Sequence, residues 1–208
     1  MKYDFIEIGT SNFDTLIQAA TDATVGLSIE PILYYLDQLP SPAGVKKINC
    51  AVSRTNQNEM LEVYYVPESE IKAHKLPNWL RGCNSVGEYH LMHTNLNVQH
   101  LVQKQLVPCL PIGTVFDQNN VSELDYLKID TEGSDCAIML HLAEYLKTRP
   151  AAGYPKKILF ESNELAVPAQ VEQVKTKFIG LGYRVTHAGY DTILEIYNSK
   201  ILYDDTCL

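Results

Sequence analysis

The sequence predicts an α/β fold with a mostly parallel, twisted sheet that is flanked by helices and ends in an antiparallel hairpin. Short apolar runs without strict alternation recur along the chain, as parallel strands buried on both faces require. Stretches with helical spacing lie between several of these runs. The last two runs are separated by only four residues, 188–191, a connection that forms a hairpin and not a crossover.

The parallel strands are predicted from five apolar runs, namely 5–8, 25–29, 48–52, 126–129 and 158–160. A helix is predicted to follow the first strand, starting near Asp14 or Thr15. Three further helices are predicted from apolar stripes, which consist of Leu33, Leu36 and Leu39, of Met139, Leu142 and Leu146, and of Val171, Val174 and Phe178. Segments 183–187 and 192–197 are the two strands of the predicted hairpin.

The chain is expected to form a single domain that spans 1–208, because 208 residues with 46% hydrophobic positions allow one sizeable core. The region around 56–111 is interpreted as an insertion, with a strand at 60–66 and a short helix at 68–76. Its segment 78–105 has no pattern that assigns elements. Within it, the irregular stretch 78–90 carries the single tryptophan and several hydrogen-bonding side chains, which is typical of a binding loop or of an ordinary surface connection.

Charge, length and cysteine usage argue against several classes of protein. The net charge is −8 and there is no basic run, so nucleic acid is not an expected partner. No apolar stretch approaches the roughly 20 residues that cross a bilayer, so no membrane partner is expected. The first strand begins almost at Met1, which leaves no room for a signal peptide and predicts a cytoplasmic protein. The five cysteines, Cys207 among them, show no CxxC spacing, so neither a disulfide framework nor a zinc site is expected.

The first strand ends in a glycine turn, 7–12, whose sequence is Glu-Ile-Gly-Thr-Ser-Asn. In a doubly wound sheet, ligands bind beyond the carboxyl ends of the strands, and Gly9 lets the backbone approach a ligand closely. Glu30-Pro31 ends the second strand, about 20 residues later, at the spacing that places an acid against a ribose diol. The alternative interpretation is that Glu7 and Glu30 are solvated strand-end acids.

The composition of this turn discriminates among nucleotides. Dinucleotide-binding folds use G-x-G-x-x-G so that the backbone can press against a pyrophosphate, whereas Ser11 and Asn12 occupy the corresponding stretch here. S-adenosylmethionine has no phosphate, but its ribose and cationic sulfonium suit one glycine, small polar residues and nearby acids. The turn therefore favours S-adenosylmethionine over NAD.

A third strong strand ends in the segment 128–135, Lys-Ile-Asp-Thr-Glu-Gly-Ser-Asp, which leads into the next predicted helix. Segments 7–9, 30–31 and 128–135 together resemble the FkbM-type S-adenosylmethionine-dependent methyltransferases. That family shows a D/E-x-G turn, an E-P pair and a K-I-D-x-E-G-x-E segment in this order. The resemblance extends over most of the chain, and its last segment is the most specific.

The resemblance implies a Rossmann-like class I methyltransferase fold and an enzyme that methylates a hydroxyl oxygen of a glycan or a small metabolite. It implies that Asp130 and Glu132 are catalytic, that Glu30 binds the ribose of S-adenosylmethionine, and that the acceptor enters above Asp130. The available bases for the hydroxyl proton are Asp130, Glu132, Glu161, His90 and His93, and Asp130 is favoured among them. The cofactor-binding residues that the resemblance implies are Glu7, Gly9, Thr10, Ser11, Asn12, Glu30, Pro31, Ser53 and Asp130.

The chain also departs from the family pattern. The first turn continues with Thr-Ser-Asn-Phe at 10–13, where the family often has Ala-Asn and a second glycine, and Asp135 replaces a usual glutamate. The sequence begins at the first strand, without the preceding segment that covers the site in many such enzymes. The insertion, or a second subunit of a homo-oligomer, is therefore expected to complete the substrate site.

The sequence also offers possible metal ligands and leaves two alternative functions open. Three histidines, His90, His93 and His100, are possible metal ligands. No predicted helix places them on one face, so no metal site is expected. Asp130 with Glu132 offers oxygen ligands for a divalent ion, although an acid that orients the donor or the acceptor fits the same pattern. The alternative functions are an NAD- or nucleotide-sugar-dependent enzyme and a non-catalytic cofactor-binding module.

Overall fold

The computed structural model describes residues 1–197, which form eleven strands and six α-helices. In chain order the strands are β1 (Lys2–Ile8), β2 (Gly26–Ile29), β3 (Val45–Ile48), β4 (Ala51–Val52), β5 (Glu59–Tyr65), β6 (Ser85–Val86), β7 (Gln103–Leu110), β8 (Glu123–Ile129), β9 (Pro155–Glu161), β10 (Tyr183–Ala188) and β11 (Asp191–Ile196). The helices are α1 (Leu33–Gln38), α2 (Glu68–Ala73), α3 (Leu91–Asn95), α4 (Ile112–Gln118), α5 (Asp135–Leu146) and α6 (Pro168–Gly180).

Seven strands form the larger sheet in the order β10-β11-β9-β8-β1-β2-β3. The neighbours β9, β8, β1, β2 and β3 are parallel, whereas β11 is antiparallel to both β9 and β10. This arrangement confirms the predicted fold, a mostly parallel sheet that ends in an antiparallel hairpin. Because the central strands are parallel, their carboxyl ends all meet at one edge of the sheet.

Apolar side chains cover both faces of this sheet. Helices α4, α5 and α6 pack their buried residues onto one face, in the main hydrophobic cluster of the protein. On the other face, Phe5 packs with Ile17, Leu36, Leu39 and Val45, which come from the chain before and after β2. Burial on both sides explains why the central strands are continuous apolar runs with no polar alternation.

Two predicted elements are wrong in detail. The run 48–52 is not one strand, because the chain leaves the larger sheet after Ile48 and β4 pairs with β7 of a second sheet. The helix predicted from Asp14 or Thr15 is a single 3-10 turn, Leu16–Ala19. Ser11 and Asp14 have left-handed backbone torsions, φ 47° and 53°, which a right-handed helix does not tolerate.

The insertion contributes most of a second, four-stranded sheet with the order β4-β7-β5-β6. The predicted strand at 60–66 and the predicted helix at 68–76 are confirmed as β5 and α2. The unassigned region contains β6, α3, β7 and two 3-10 turns, Asn78–Arg81 and Gln99–Leu101. The insertion also has a hydrophobic cluster of its own, separate from the main one, which is built on Val66, Ile71, Leu80, Cys83 and Val98.

No helix within residues 1–197 is long and apolar enough to span a membrane. Four cysteines are free and buried, namely Cys50, Cys83, Cys109 and Cys136. The fifth, Cys207, lies outside the described residues.

Candidate active site

Three of the predicted site residues lie in a row at the carboxyl edge of the larger sheet. The strand register aligns the last residues of β2, β1 and β8 with one another, so the residues that follow them are level. These are Glu30, Gly9 and Asp130, and the register between β8 and β9 puts Glu161 at the same level. Neighbouring strands are about 4.8 Å apart, so three carboxylates and one glycine share one short edge.

Gly9 lets the turns after β1 and β8 touch. Its φ is +81°, in the region that favours glycine, and a Cβ built on it would lie 1.8 Å from the carbonyl oxygen of Asp130. Its N–H also donates to the carbonyl of Ile29. No other residue type fits at this position without moving the Asp130 turn.

Glu30 is a buried carboxylate that joins two turns. Its side chain accepts backbone N–H bonds from Ser11, at 2.7 Å, and from Ile32, at 2.8 Å. The residue is 3% exposed, and burial raises its pKa to about 7 against the lowering effect of these two bonds. Glu7 is likewise buried. The interpretation of Glu7 and Glu30 as solvated strand-end acids is therefore wrong.

Asp130, Glu132 and Glu161 form an acidic cluster in which one carboxylate oxygen of each lies within 4.8 Å of the others. Burial raises the pKa of Asp130 to about 7, although the Lys128 ammonium, 3.7 Å away, opposes that rise. Burial, followed by repulsion from Glu132 and Asp135, raises the pKa of Glu161 to about 9. Asp130 and Glu161 therefore keep their protons to a higher pH than free carboxyl groups do, and a nearby cation would favour their ionised forms.

Two adjoining clefts open at this edge. The first cleft has an empty volume of about 540 Å³, and the predicted site residues that line it are Gly9, Ser11, Glu30, Pro31, Asp130 and Glu132. The second cleft has an empty volume of about 840 Å³, and its walls include Arg54, Glu88, Tyr89, His90, Leu91 and Leu165. Ser85, Val86, Glu132 and Ser134 line both clefts, so Glu132 stands where the two meet.

Four predicted cofactor-binding residues lie outside the lining of the first cleft. The Glu7 carboxylate accepts the N–H of Leu16 at 2.8 Å and pairs with the Lys128 ammonium at 3.1 Å. The Ser53 hydroxyl accepts the backbone N–H groups of Thr55 and Gln57.

The other two belong to the first turn. The Thr10 hydroxyl donates to the carbonyl of Ser11, and the Asn12 amide donates to the Gln38 side chain. Glu7, Thr10 and Ser53 bond to local backbone groups and Asn12 bonds to a side chain, and a contact between any of the four and a ligand stays a prediction.

The sequence indicated the insertion as part of the substrate site but did not identify which of its residues line the first cleft. Gly82, Asn84 and Val86 line the first cleft, and they belong to the irregular stretch 78–90 that the sequence indicated as a binding loop or a surface connection. The guanidinium of Arg81 lies 4.4 Å from the centre of the Phe13 ring, and the Ser11 hydroxyl donates to the Arg81 carbonyl. The stretch is thus attached to the turn after β1.

Two histidines of the insertion form the cap of α3, and one of them, His90, also contacts Glu132. The Met92 N–H donates to His90 Nδ1 at 3.1 Å, and the His90 N–H donates to His93 Nδ1 at 3.3 Å. His90 Nε2 lies 3.0 Å from Glu132 Oε2. Burial lowers the pKa of His93 to about 4, which keeps this ring neutral. Glu132 itself has a left-handed φ of 55°, a costly conformation for a residue other than glycine.

Within residues 1–197, two groups of side chains have the spacing of metal ligands. One is Cys83 with His90 and Glu132, and the other is the acidic cluster. His100 belongs to neither group.

Comparison with known protein families matches residues 7–185 to the family described as Methyltransferase FkbM domain. The match spans both clefts and the strands that carry them. Searches of curated proteins and of solved structures found no match.

Proposed function

Because the chain belongs to the FkbM family of methyltransferases, we propose that it transfers the methyl group of S-adenosylmethionine to a hydroxyl oxygen of a sugar or small metabolite. The observation that carries this proposal is the pair of adjoining clefts that share Glu132. A donor in the first cleft and an acceptor in the second cleft would meet beside a carboxylate.

The first cleft fits the methyl donor in its chemistry. Ile8, Val52, Val63 and Val86 give it apolar walls for an adenine ring. Glu30 is a buried acceptor for ribose hydroxyls at one side of Gly9, and the acidic cluster on the other side attracts a sulfonium. The turn after β1 lacks the glycines that cradle a pyrophosphate, which disfavours NAD.

The residues of the chain orient the two reactants and accept the proton that the acceptor hydroxyl loses. When bound, S-adenosylmethionine supplies an electrophilic methyl group on a sulfonium. Asp130 follows β8, on the side of Gly9 opposite Glu30, and we assign it to the sulfonium end of the donor. Glu132 faces the second cleft as well, and it is the carboxylate nearest the acceptor. Alignment of the reacting atoms at near-contact distance supplies much of the rate in such a transfer.

The second cleft suits a polar acceptor with several hydroxyl groups. Arg54 and Glu88 offer a donor and an acceptor of hydrogen bonds, and Tyr89, which is 48% exposed, offers an aromatic face. Sugar rings present hydroxyl groups at their edges and C–H groups at their faces, so this combination supports a glycan or a small polyol.

The donor assignment predicts that the protein binds S-adenosylhomocysteine and does not bind NAD. Calorimetric titration of the same preparation with each ligand measures this directly. Binding of NAD with no response to S-adenosylhomocysteine would refute the assignment. A panel of monosaccharides, polyols and simple alcohols, incubated with S-adenosylmethionine carrying a labelled methyl group, then identifies the acceptor by the methyl ether that forms.

The attachment of the stretch 78–90 predicts a small effect of Arg81 on the donor. Arg81→Met removes the guanidinium from the Phe13 ring, a contact that contributes about 0.5–1 kcal/mol. We therefore expect S-adenosylhomocysteine to bind roughly two- to fivefold more weakly. Arg184→Met is the matched control, because Arg184 lies over the Tyr197 ring, outside the lining of both clefts. If both variants changed the affinity equally, the contact between Arg81 and Phe13 would have no specific role in donor binding.

A further inference from the structure

We propose that Glu132 takes the proton of the acceptor hydroxyl and that His90 is its positioning residue, bound to it through Nε2–H. This inference rests on the proposed methyl transfer and assigns the general base within it. As the acceptor oxygen forms its bond to the methyl carbon, its proton passes to the Glu132 carboxylate. The carbon–sulfur bond breaks and leaves its electron pair on sulfur, so charge and atoms balance.

The capping of α3 fixes the tautomer of His90. The Met92 N–H points at His90 Nδ1 at 3.1 Å, and an N–H group needs an acceptor, so Nδ1 carries no proton. A neutral imidazole then carries its proton on Nε2, which lies 3.0 Å from Glu132 Oε2. His90 therefore donates to Glu132 and has no free nitrogen with which to accept a proton itself. This excludes His90 as the base and leaves it a positioning role.

Burial makes this hydrogen bond a strong constraint. His90 is 4% exposed and its ring lies against that of His93, which is fully buried. Glu132 Oε1 has no hydrogen-bond partner among residues 1–197, whereas Oε2 is held by His90. One oxygen is thus fixed and the other is available to an acceptor in the second cleft. The left-handed backbone of Glu132, followed by Gly133 at φ +105°, turns the side chain toward this junction.

The same tautomer argues against a metal ion on Cys83, His90 and Glu132, although their ligand atoms lie within 4.8 Å of one another. A histidine that binds metal through Nε2 carries its proton on Nδ1, where it usually donates to a carbonyl or carboxylate. Here the group facing Nδ1 is another N–H donor.

The first test determines the tautomer of His90 in the absence of any substrate. Nitrogen-15 NMR of the histidine rings in the full chain should show His90 at pH 7 with a proton on Nε2 and a bare Nδ1. Glu132→Gln should shift the His90 Nε2–H resonance, because an amide oxygen is a weaker acceptor than a carboxylate. A proton on Nδ1, or a His90 spectrum that Glu132→Gln leaves unchanged, would overturn the proposal. So would stoichiometric binding of Zn²⁺ that Cys83→Ser abolishes.

The second test separates positioning from capping. His90→Asn keeps a good N-cap acceptor for α3 and loses the donor to Glu132. With the acceptor that the panel identifies, we expect kcat to fall roughly ten- to a hundredfold, as for one hydrogen bond to a charged group, while affinity for S-adenosylhomocysteine stays constant. Glu132→Gln should lower kcat by roughly 10²–10⁴. His100→Asn, in the same insertion, is the control and should match the parent protein.

A double variant completes the test. In the Glu132→Gln background, His90→Asn should lower kcat no further, because two groups that act as a unit are not additive. Independent, additive losses would show that His90 acts elsewhere. If the proposed function itself is wrong, the result differs from these outcomes, because the protein would not bind S-adenosylhomocysteine at all, whatever the tautomer of His90.

Discussion

Glu30→Gln should weaken the binding of S-adenosylhomocysteine roughly ten- to a hundredfold. Ribose hydroxyls that donate to a carboxylate form charge-assisted bonds, and the loss of one such bond costs about 1.5–3 kcal/mol. About 1.4 kcal/mol corresponds to a factor of ten in the dissociation constant. Calorimetry measures the change, and circular dichroism confirms that the variant is folded, since Glu30 also holds the N–H groups of Ser11 and Ile32.

Asp135→Asn is the matched control for this variant. Asp135 is 2% exposed, accepts backbone N–H bonds from Thr131 and Glu161, and does not line the first cleft. It should lose stability as Glu30→Gln does, and it should keep its affinity for S-adenosylhomocysteine. An unchanged dissociation constant for folded Glu30→Gln would show that the ribose lies elsewhere.

The raised pKa of Glu30 also predicts how pH acts. Folding raises this pKa from 4.5 to about 7, so the folded state binds more protons than the unfolded state between these values. The contribution of Glu30 to stability is therefore present below pH 4.5 and is lost as the pH rises through 7. Affinity for S-adenosylhomocysteine should change in the opposite direction, because the ionised carboxylate is the better acceptor. Glu30→Gln should remove both slopes.

Asp130→Asn should weaken the binding of S-adenosylmethionine about tenfold and leave that of S-adenosylhomocysteine almost unchanged. Only the first ligand carries a positive charge, and an ion pair a few ångströms long at a partly buried site contributes at least the 1.4 kcal/mol that this factor requires. Parallel titrations with the two ligands measure the difference. An equal loss for both would mean that Asp130 acts by supporting the turn and not by its charge.

Proton release gives a second measure of the same contact. A sulfonium next to Asp130 should lower its pKa from about 7, so binding of S-adenosylmethionine at pH 7 releases protons that binding of S-adenosylhomocysteine does not. Calorimetry in two buffers of different ionisation enthalpy counts these protons, and Asp130→Asn should reduce the count. Asp125→Asn is the control, because Asp125 lies on β8, the strand that Asp130 follows, but pairs with Lys2 and Lys156 away from both clefts.

The sequence was sufficient to predict the sheet edge on which the site is built. Parallel strands make continuous apolar runs, and the residues after them, Gly9, Glu30 and Asp130, could be placed at one edge because their runs end there. The hairpin was equally accessible from the short connection between its strands. These patterns involve residues that are close together in the sequence, so the sequence alone is sufficient to predict the elements that they form.

Contacts between distant segments were not predictable in the same way. The chain leaves the larger sheet after Ile48 because β4 pairs with β7, which lies more than fifty residues later in the sequence. The sequence of the run 48–52 does not indicate this pairing. The side-chain partner of Glu7 is Lys128, so the sequence could indicate an acid but not its burial. Likewise, His90 and Glu132 are 42 residues apart, and their meeting depends on how the insertion folds over the edge.

The separate hydrophobic cluster of the insertion has a consequence for how such an enzyme can diversify. Leu80 and Cys83 are buried in that cluster and belong to the stretch 78–90, which lines the clefts, while the main core holds the strands that carry Gly9, Glu30 and Asp130. Substitutions that reshape the second cleft can therefore be absorbed by a small core of their own, with the sheet intact. Under the proposed function, new acceptors could then evolve through residues that line only the second cleft, such as Glu88 and Tyr89, while the sheet edge that carries Gly9, Glu30 and Asp130 stays unchanged.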